Sequence, residues 1–194
     1  MALKSACLLE WVKKRYEGRV IPLSNVPYIH HVSAVAEIAA HYVTFGYEAG
    51  LCHDMLEDGI CTTDELISAL SSCSYSLEER NAILELVTEL TDHYTCEAYP
   101  QLSKKERRRK ENKRLRKVSA AAQTVKYADL LYNMDWKLCY EPEKAERYLE
   151  RKIRLLKRLD KGNTDLQQKV LDHAYRSFNI NGNLANLLSI AAVL

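Results

Sequence analysis

CHDMLEDG, residues 52–59, sets four ionisable side chains, His53, Asp54, Glu57 and Asp58, beside the apolar residues Leu51, Met55 and Leu56. Read as a helix, the stretch puts His53 and Glu57 one turn apart on one line and Asp54 and Asp58 one turn apart on the next. All four then address a single small volume. The apolar neighbours argue for a packed helix and not a solvated charged one. A packed anionic volume costs several kcal/mol unless a cation fills it. This central helix is expected over residues 49–58, with Gly59 as its stop. A His-Asp pair is common by chance, so its meaning depends on partners elsewhere in the chain.

Working outward, nearly every neighbouring segment reads as helix. Residues 3–16 form an amphipathic helix with Leu3, Ala6, Cys7, Trp11 and Val12 on one face, ended by Gly18. Tyr28 to Phe45 resumes the period through Val32, Val35, Ile38 and Ala39. On it His31 shares the core line with Val35 and Ile38, while His30 shares the line of Ala34, Glu37 and His41. Thr62 or Thr63 can cap the next helix, and Ser76 with Glu79 forms a capping box for the one after. Residues 93–103 are irregular and contain Pro100. From Ala120 a long helix carries the core stripe Val125, Ala128, Leu131 and Tyr132, interrupted by a polar seam of Lys126, Asp129 and Asn133. Pro142 opens a charged helix reaching Leu159. A last helical region precedes the segment Asn179 to Asn183, and Leu184 to Leu194 is apolar enough to dock as a terminal helix or to serve an oligomer contact. Strand-like alternation is lacking, so the fold class is all-α.

Composition sets the outer bounds. The chain has 194 residues, of which 47% are hydrophobic and 28% charged, with six Gly and four Pro. That balance suits one domain spanning residues 1–194. Glu10, Lys13, Lys14 and Arg15 interrupt the N-terminal apolar pattern, so neither a signal peptide nor a membrane span is expected there. Cysteines 7, 52, 61, 73, 96 and 139 show no CxxC pairing, and the expectation is reduced thiols in a cytoplasmic protein. The run Lys104 to Lys117 holds ten Lys or Arg and two Glu, a local charge of +8 in a total of +2, so the remainder carries −6. Such a run is either a solvated helix or a surface for polyphosphates or a partner.

His31, His53, Asp54 and Asp129, from three helices, form the inward polar set. Two imidazoles and two carboxylates suit a borderline divalent metal such as manganese or iron, with coordination positions left for water and substrate. A divalent ion there would lower the pKa of an attacking water and polarise a phosphoryl oxygen, which is hydrolytic chemistry. Glu57 and Asp58 lie one turn beyond the ligands, and carboxylates at a helix C-terminus oppose its dipole, which argues for use over stability.

PYIHHVSAVAEI at 27–38, GLCHDMLEDG at 50–59 and VKYADLLYNM at 125–134 together resemble the HD-domain metal-dependent phosphohydrolases, and among them the (p)ppGpp hydrolase domain of RelA/SpoT-type enzymes and their small stand-alone relatives. The resemblance implies an HD-type helical bundle and one manganese-like ion on His31, His53, Asp54 and Asp129, with iron, magnesium and zinc still open. It implies that Glu57 and Asp58 serve catalysis at the attacking water, and that Asn133 lies near a guanine nucleotide. Lys126 and Arg19 are expected to help bind that substrate. Leu130 stands where the family often has a basic residue, and Arg19 lacks a following Lys. Two other readings remain: an HD phosphohydrolase of another nucleotide or phosphorylated metabolite, and a helical nucleic-acid binder using residues 104–117. The acidic remainder and the lack of interleaved aromatics in that run oppose the last. No membrane association is expected.

Overall fold

The structure, a computed structural model, describes the backbone of residues 3–191 and the side-chain environment of residues 3–178. Nine helices follow one another among these residues. They are α1 (Leu3–Arg15), α2 (Ile29–Ala40), α3 (Gly46–Cys52), α4 (Thr63–Ser72), α5 (Leu77–Leu90), α6 (Lys104–Leu115), α7 (Ala120–Tyr140), α8 (Pro142–Leu156) and α9 (Thr164–Ala191). The fold is all-α, and the one extended pairing among the described residues is an isolated antiparallel bridge between Val20 and Pro27.

Local chemistry explains the helix starts. Thr62, Ser76 and Ser103 each accept a hydrogen bond from the backbone N–H three residues on, and Glu65, Glu79 and Glu106 reach back to the cap residue in return. Pro142 occupies the first turn of α8, where its missing N–H goes unneeded.

Three apolar clusters hold the helices together. Leu8, Val12, Leu51, Met55, Leu66 and Ile83 unite α1, α3, α4 and α5. Tyr127, Leu130, Leu149, Leu156 and Val170 unite α7, α8 and α9. Between them Val35, Ala39, Ala49, Leu90, Val125 and Ala128 join α2, α3, α5 and α7. Each fully buried Leu in these clusters contributes about 1.5–3 kcal/mol relative to exposure. Gly50 brings α3 directly onto α2, since a Cβ there would lie 2.5 Å from Ala36 Cα. Glycine at this crossing therefore sets how near the end of α3 comes to His31.

Several expectations are corrected. The central helix is not residues 49–58: α3 ends at Cys52, and residues 53–59 form successive turns up to Gly59, whose φ is +62°. His53 Nδ1 bonds the Gly50 carbonyl at 2.8 Å, the acceptor that a continuing helix would offer to the Asp54 N–H. The helical period read from Tyr28 to Phe45 is shorter in the structure: α2 stops at Ala40, Phe45 takes a left-handed φ of 60°, and Gly46 opens α3. The buried line of α1 is Ser5, Leu8 and Val12, and Leu3 is exposed. Ser5 is buried because its hydroxyl, together with that of Tyr75, donates to the buried Glu48 carboxylate at 2.7 and 2.8 Å. Asn179 to Asn183 does not interrupt α9, whose backbone runs to Ala191. The docking expected of residues 184–194 falls outside the described side chains. Cys7 and Cys73, expected reduced, form a disulfide that ties α1 to the end of α4, their Cα atoms 5.5 Å apart across 66 residues of sequence. Tertiary packing alone brings them together. Cys52, Cys61, Cys96 and Cys139 are free thiols. No helix among the described residues is long and apolar enough to cross a membrane.

Candidate active site

His31 from the first turns of α2, His53 and Asp54 from the turn after α3, and Asp129 from the middle of α7 meet at one point. His31 Nε2 lies 3.3 Å from Asp54 Oδ2 and 3.5 Å from Asp129 Oδ1, and His53 Nε2 lies 3.2 Å from Asp54 Oδ1 and 3.5 Å from Asp129 Oδ1. His31, His53 and Asp129 are buried, whereas His30 faces solvent, as their helical lines require. One ligand atom each from His31, His53 and Asp54 fall within 4.8 Å of one another, so the group could hold a metal ion. His53 Nε2 is buried among these carboxylates and makes no hydrogen bond. Its Nδ1 is the proton-bearing nitrogen if it donates to Gly50 O, which turns the Nε2 lone pair into the cluster. The donor set fits a borderline divalent cation.

A surrounding set of polar contacts fixes these side chains. Tyr28 OH donates to Asp54 Oδ2 at 2.6 Å, and the Tyr28 ring stacks on Tyr16. Lys126 Nζ lies 2.7 Å from Asp129 Oδ2, and Asn133 Nδ2 donates to Asp129 Oδ1 at 2.5 Å, so the α7 seam is real. Burial opposes charge on His53, Asp54 and Asp129, yet their surroundings hold all three ionised. Burial lowers the His53 imidazole, but Asp54 and Asp129 outweigh it and lift it to about 9. Burial would raise Asp54, but His53 and His31 bring it down to about 2. Asp129 resists the same penalty through Lys126 and His53 and stays well below the usual carboxylate range. A divalent cation would take over the charge that the second His53 proton supplies and free the Nε2 lone pair to bind it.

Two clefts flank the cluster. The first, about 510 Å³, is reached through Lys126 and has Glu57, Asp92, Lys152 and α6 side chains Lys104, Arg107 and Arg108 in its walls. Glu57 is exposed at this cleft, and its carboxylate accepts the Asp92 N–H at 3.1 Å. Reduced solvation there and the Asp92 charge push its carboxyl up to about 7. Burial and repulsion from Lys126 bring Lys152 down to about 8. The second cleft, about 330 Å³, is reached through His31 and Asn133 and is walled by Ile21, Leu23, Tyr132 and Trp136. The Trp136 Nε1–H is buried there without a partner.

The chain matches curated guanosine-3′,5′-bis(diphosphate) 3′-pyrophosphohydrolases named MESH1. It is 32% identical to that of Xenopus tropicalis over 172 residues, covering 84% of this chain and 87% of the relative. It is 30% identical to that of Homo sapiens, with the same coverage of both. The chain belongs to the MESH1 family. The fold agrees with the solved structure of a metazoan ortholog of SpoT that hydrolyses ppGpp, at a TM-score of 0.70 and 23% identity over 91% of this chain and 96% of that one. No protein-family model matches.

Within this MESH1-family chain the sequence-expected residues fall into place unevenly. His31, His53, Asp54, Asp129, Lys126 and Asn133 converge. Glu57 is not one helical turn beyond His53, because α3 has already ended; its tether is Asp92. Asp58 keeps the one-turn relation to Asp54, its N–H bonding the Asp54 carbonyl at 2.9 Å. Burial and the Asp54 charge raise the Asp58 carboxyl, and Arg19 partly offsets them. Arg19 itself is exposed on the connection before α2. Sequence reasoning missed Tyr28, Asp92, Trp136 and Lys152 as site residues. Tyr28 stands three residues before His31 and so one helical turn away, a usable signal. Asp92 and Lys152 carry none, because each is placed by a different helix.

Proposed function

We propose that the chain removes pyrophosphate from the 3′ position of guanosine 3′,5′-bis(diphosphate), the activity in the name of its MESH1 relatives, with manganese held by His31, His53, Asp54 and Asp129. The observation that carries this reading is the meeting of those four side chains, with a buried His53 Nε2 left open, between a cationic cleft and an aromatic one. A nucleotide with phosphates on one side and a flat base on the other has that same polarity. The bound ion supplies a Lewis acid and lowers the pKa of the attacking water.

The chain's own residues do the rest. Tyr28 and Asn133 fix the rotamers of Asp54 and Asp129, and Lys126 neutralises the second Asp129 oxygen. Glu57, with a carboxyl near 7, takes a proton from the water as it adds to the phosphorus on the 3′ oxygen. The bond from that phosphorus to the 3′ oxygen breaks, and Asp58, raised in its own pKa, gives that oxygen the proton it leaves with. Lys126, Lys152, Arg107 and Arg108 stabilise the departing pyrophosphate by charge-assisted hydrogen bonds. Tyr132 and Trp136 flank the base, and the Trp136 Nε1–H gives it a donor.

The test is to incubate the protein and manganese with ppGpp, sugar phosphates and nucleoside mono-, di- and triphosphates. Release of pyrophosphate and GDP from ppGpp, far faster than phosphate release from the others, is expected. Preference for another phosphate ester would keep the metal chemistry and overturn the substrate.

A further inference from the structure

The cationic helix α6 has two working faces. Lys104 and Arg107 line the catalytic cleft, but Lys105 and Arg109 line a neighbouring groove of about 290 Å³ between α6 and α8, and Arg108, Asn112 and Leu155 form the ridge that borders both. Across that groove stand Arg151, Arg154 and Arg158. The spacing explains the convergence: 105, 108, 109 and 112 form one i, i+3, i+4, i+7 face, and 151, 154, 155 and 158 form another. Two helix faces that would ordinarily meet through apolar residues therefore meet through six cations, and no carboxylate lines the space between them.

Little in the protein answers this charge. Arg154 pairs with Glu150 at 2.8 Å, and Arg151 lies over the Tyr148 ring. Lys105, Arg108, Arg109 and Arg158 make no ion pair among the described residues. Neither helix needs these side chains for packing. α6 is anchored by the buried Leu115 and by Glu111, which accepts the His93 and Tyr94 N–H groups at 3.1 Å. α8 is anchored by Leu149, Leu155 and Leu156. Like charges crowded on facing helices repel, and an anion spanning them relieves the repulsion.

We propose that the groove between α6 and α8 is a second anion site, separate from the catalytic cleft, that takes a linear polyphosphate chain of three or more phosphates. Guanidinium forks from two sides suit successive phosphates, which accept paired hydrogen bonds from each arginine. The lining has no aromatic ring, so the groove offers no platform for stacking bases and reads the phosphate chain alone. The chain can be inorganic or the phosphate arm of a nucleotide, and the two sources share this chemistry.

The test uses the manganese-loaded protein and the variant Arg109→Gln/Arg154→Gln/Arg158→Gln, which leaves every catalytic-cleft residue in place. Calorimetry with inorganic tripolyphosphate should show a salt-sensitive site in the parent whose affinity falls at least about tenfold in the variant, since three charge-assisted hydrogen-bond donors are lost. Tripolyphosphate should raise the melting temperature of the parent more than that of the variant. Turnover of ppGpp should keep its kcat and KM within about twofold. GTP should occupy the site no more tightly than tripolyphosphate. Equal tripolyphosphate affinity in parent and variant overturns the site. A tenfold rise in KM for ppGpp in the variant makes the groove an arm of the catalytic cleft and overturns its separateness. Tighter binding of a single-stranded RNA than of a polyphosphate of equal charge overturns the ligand class in favour of nucleic acid.

Discussion

The two clefts beside the His31, His53, Asp54 and Asp129 cluster are built from opposite materials. One presents Lys126, Lys152, Lys104, Arg107 and Arg108 with Glu57 and Asp92; the other presents Ile21, Leu23, Tyr132 and Trp136. The first sets its charge where phosphate would lie, and burial together with the neighbouring Lys126 brings Lys152 down to about 8. The second sets one unpartnered donor, the Trp136 Nε1–H, among Ile21, Leu23 and Tyr132, with Lys137 and Glu141 at its charged side. A site made wholly of the first kind would take any phosphate, and one made wholly of the second would take any flat ring. On the proposed function the cluster joining them would make the combination selective, because a ligand spanning it must satisfy both sides at once.

Removing the junction should have the largest effect. Asp129→Asn takes away the carboxylate that touches both imidazoles, Lys126 and Asn133. It should abolish stoichiometric manganese binding and cut turnover by about 10³-fold or more, as loss of several kcal/mol of transition-state stabilisation requires. Metal analysis and turnover of the same preparation check this; a fully loaded, active variant would remove Asp129 from the ligand set.

Next comes the carboxylate that the cationic cleft supplies. Glu57→Gln should retain fold and metal while kcat falls about 10²–10⁴-fold. A base works only when ionised, and Glu57 is raised to about 7, so parental activity should climb as pH rises through about 7 and fall below it. The variant should lose that limb. A parental pH profile in Glu57→Gln would instead leave Glu57 as a residue that only ties the Asp92 backbone.

Positioning of the junction ranks third. Tyr28→Phe deletes the 2.6 Å hydrogen bond to Asp54 and nothing else of the ring's packing. A weakening of manganese affinity by about 10–100-fold is expected, read by metal titration against a chelator. Unchanged affinity would assign Tyr28 to packing against Tyr16 alone.

The smallest effects should divide the two clefts most cleanly. Lys152→Met should raise KM for ppGpp about tenfold and weaken pyrophosphate as a product inhibitor to the same degree, because a charged hydrogen bond is worth about 1.5–3 kcal/mol. Trp136→Ala should raise KM by a similar factor, through lost stacking of about 1–3 kcal/mol, and leave pyrophosphate inhibition unchanged. If both variants change pyrophosphate inhibition equally, base and phosphates do not occupy separate clefts.

The reach of sequence reasoning follows the range of the forces involved. Helix starts at Thr62 and Ser76 were legible because a cap and its partner are three residues apart, whereas the same box at Ser103 and Glu106 came only with the structure. His31 could be told from His30 because helical period assigns adjacent residues to different faces. The polar seam on α7 was legible for the same reason, and inward-facing polar side chains on three helices had to find one another or remain unpaired. The central helix was misread because periodicity does not show that the His53 side chain captures the Gly50 carbonyl and helps end α3 at Cys52.

By itself the sequence determined an all-helical chain, the caps at Thr62 and Ser76 and the four inward polar side chains that share one centre. Only the tertiary structure decided what surrounds that centre. Asp92 just after α5 and Lys152 on α8 join Lys126 of the α7 seam in one wall, yet Asp92 and Lys152 look in sequence like any other surface charge. Cys7 and Cys73 pair across 66 residues for the same reason. Capping and periodicity are set by neighbours within a turn, whereas a cleft wall or a cross-link exists only once packing has brought distant turns to contact distance.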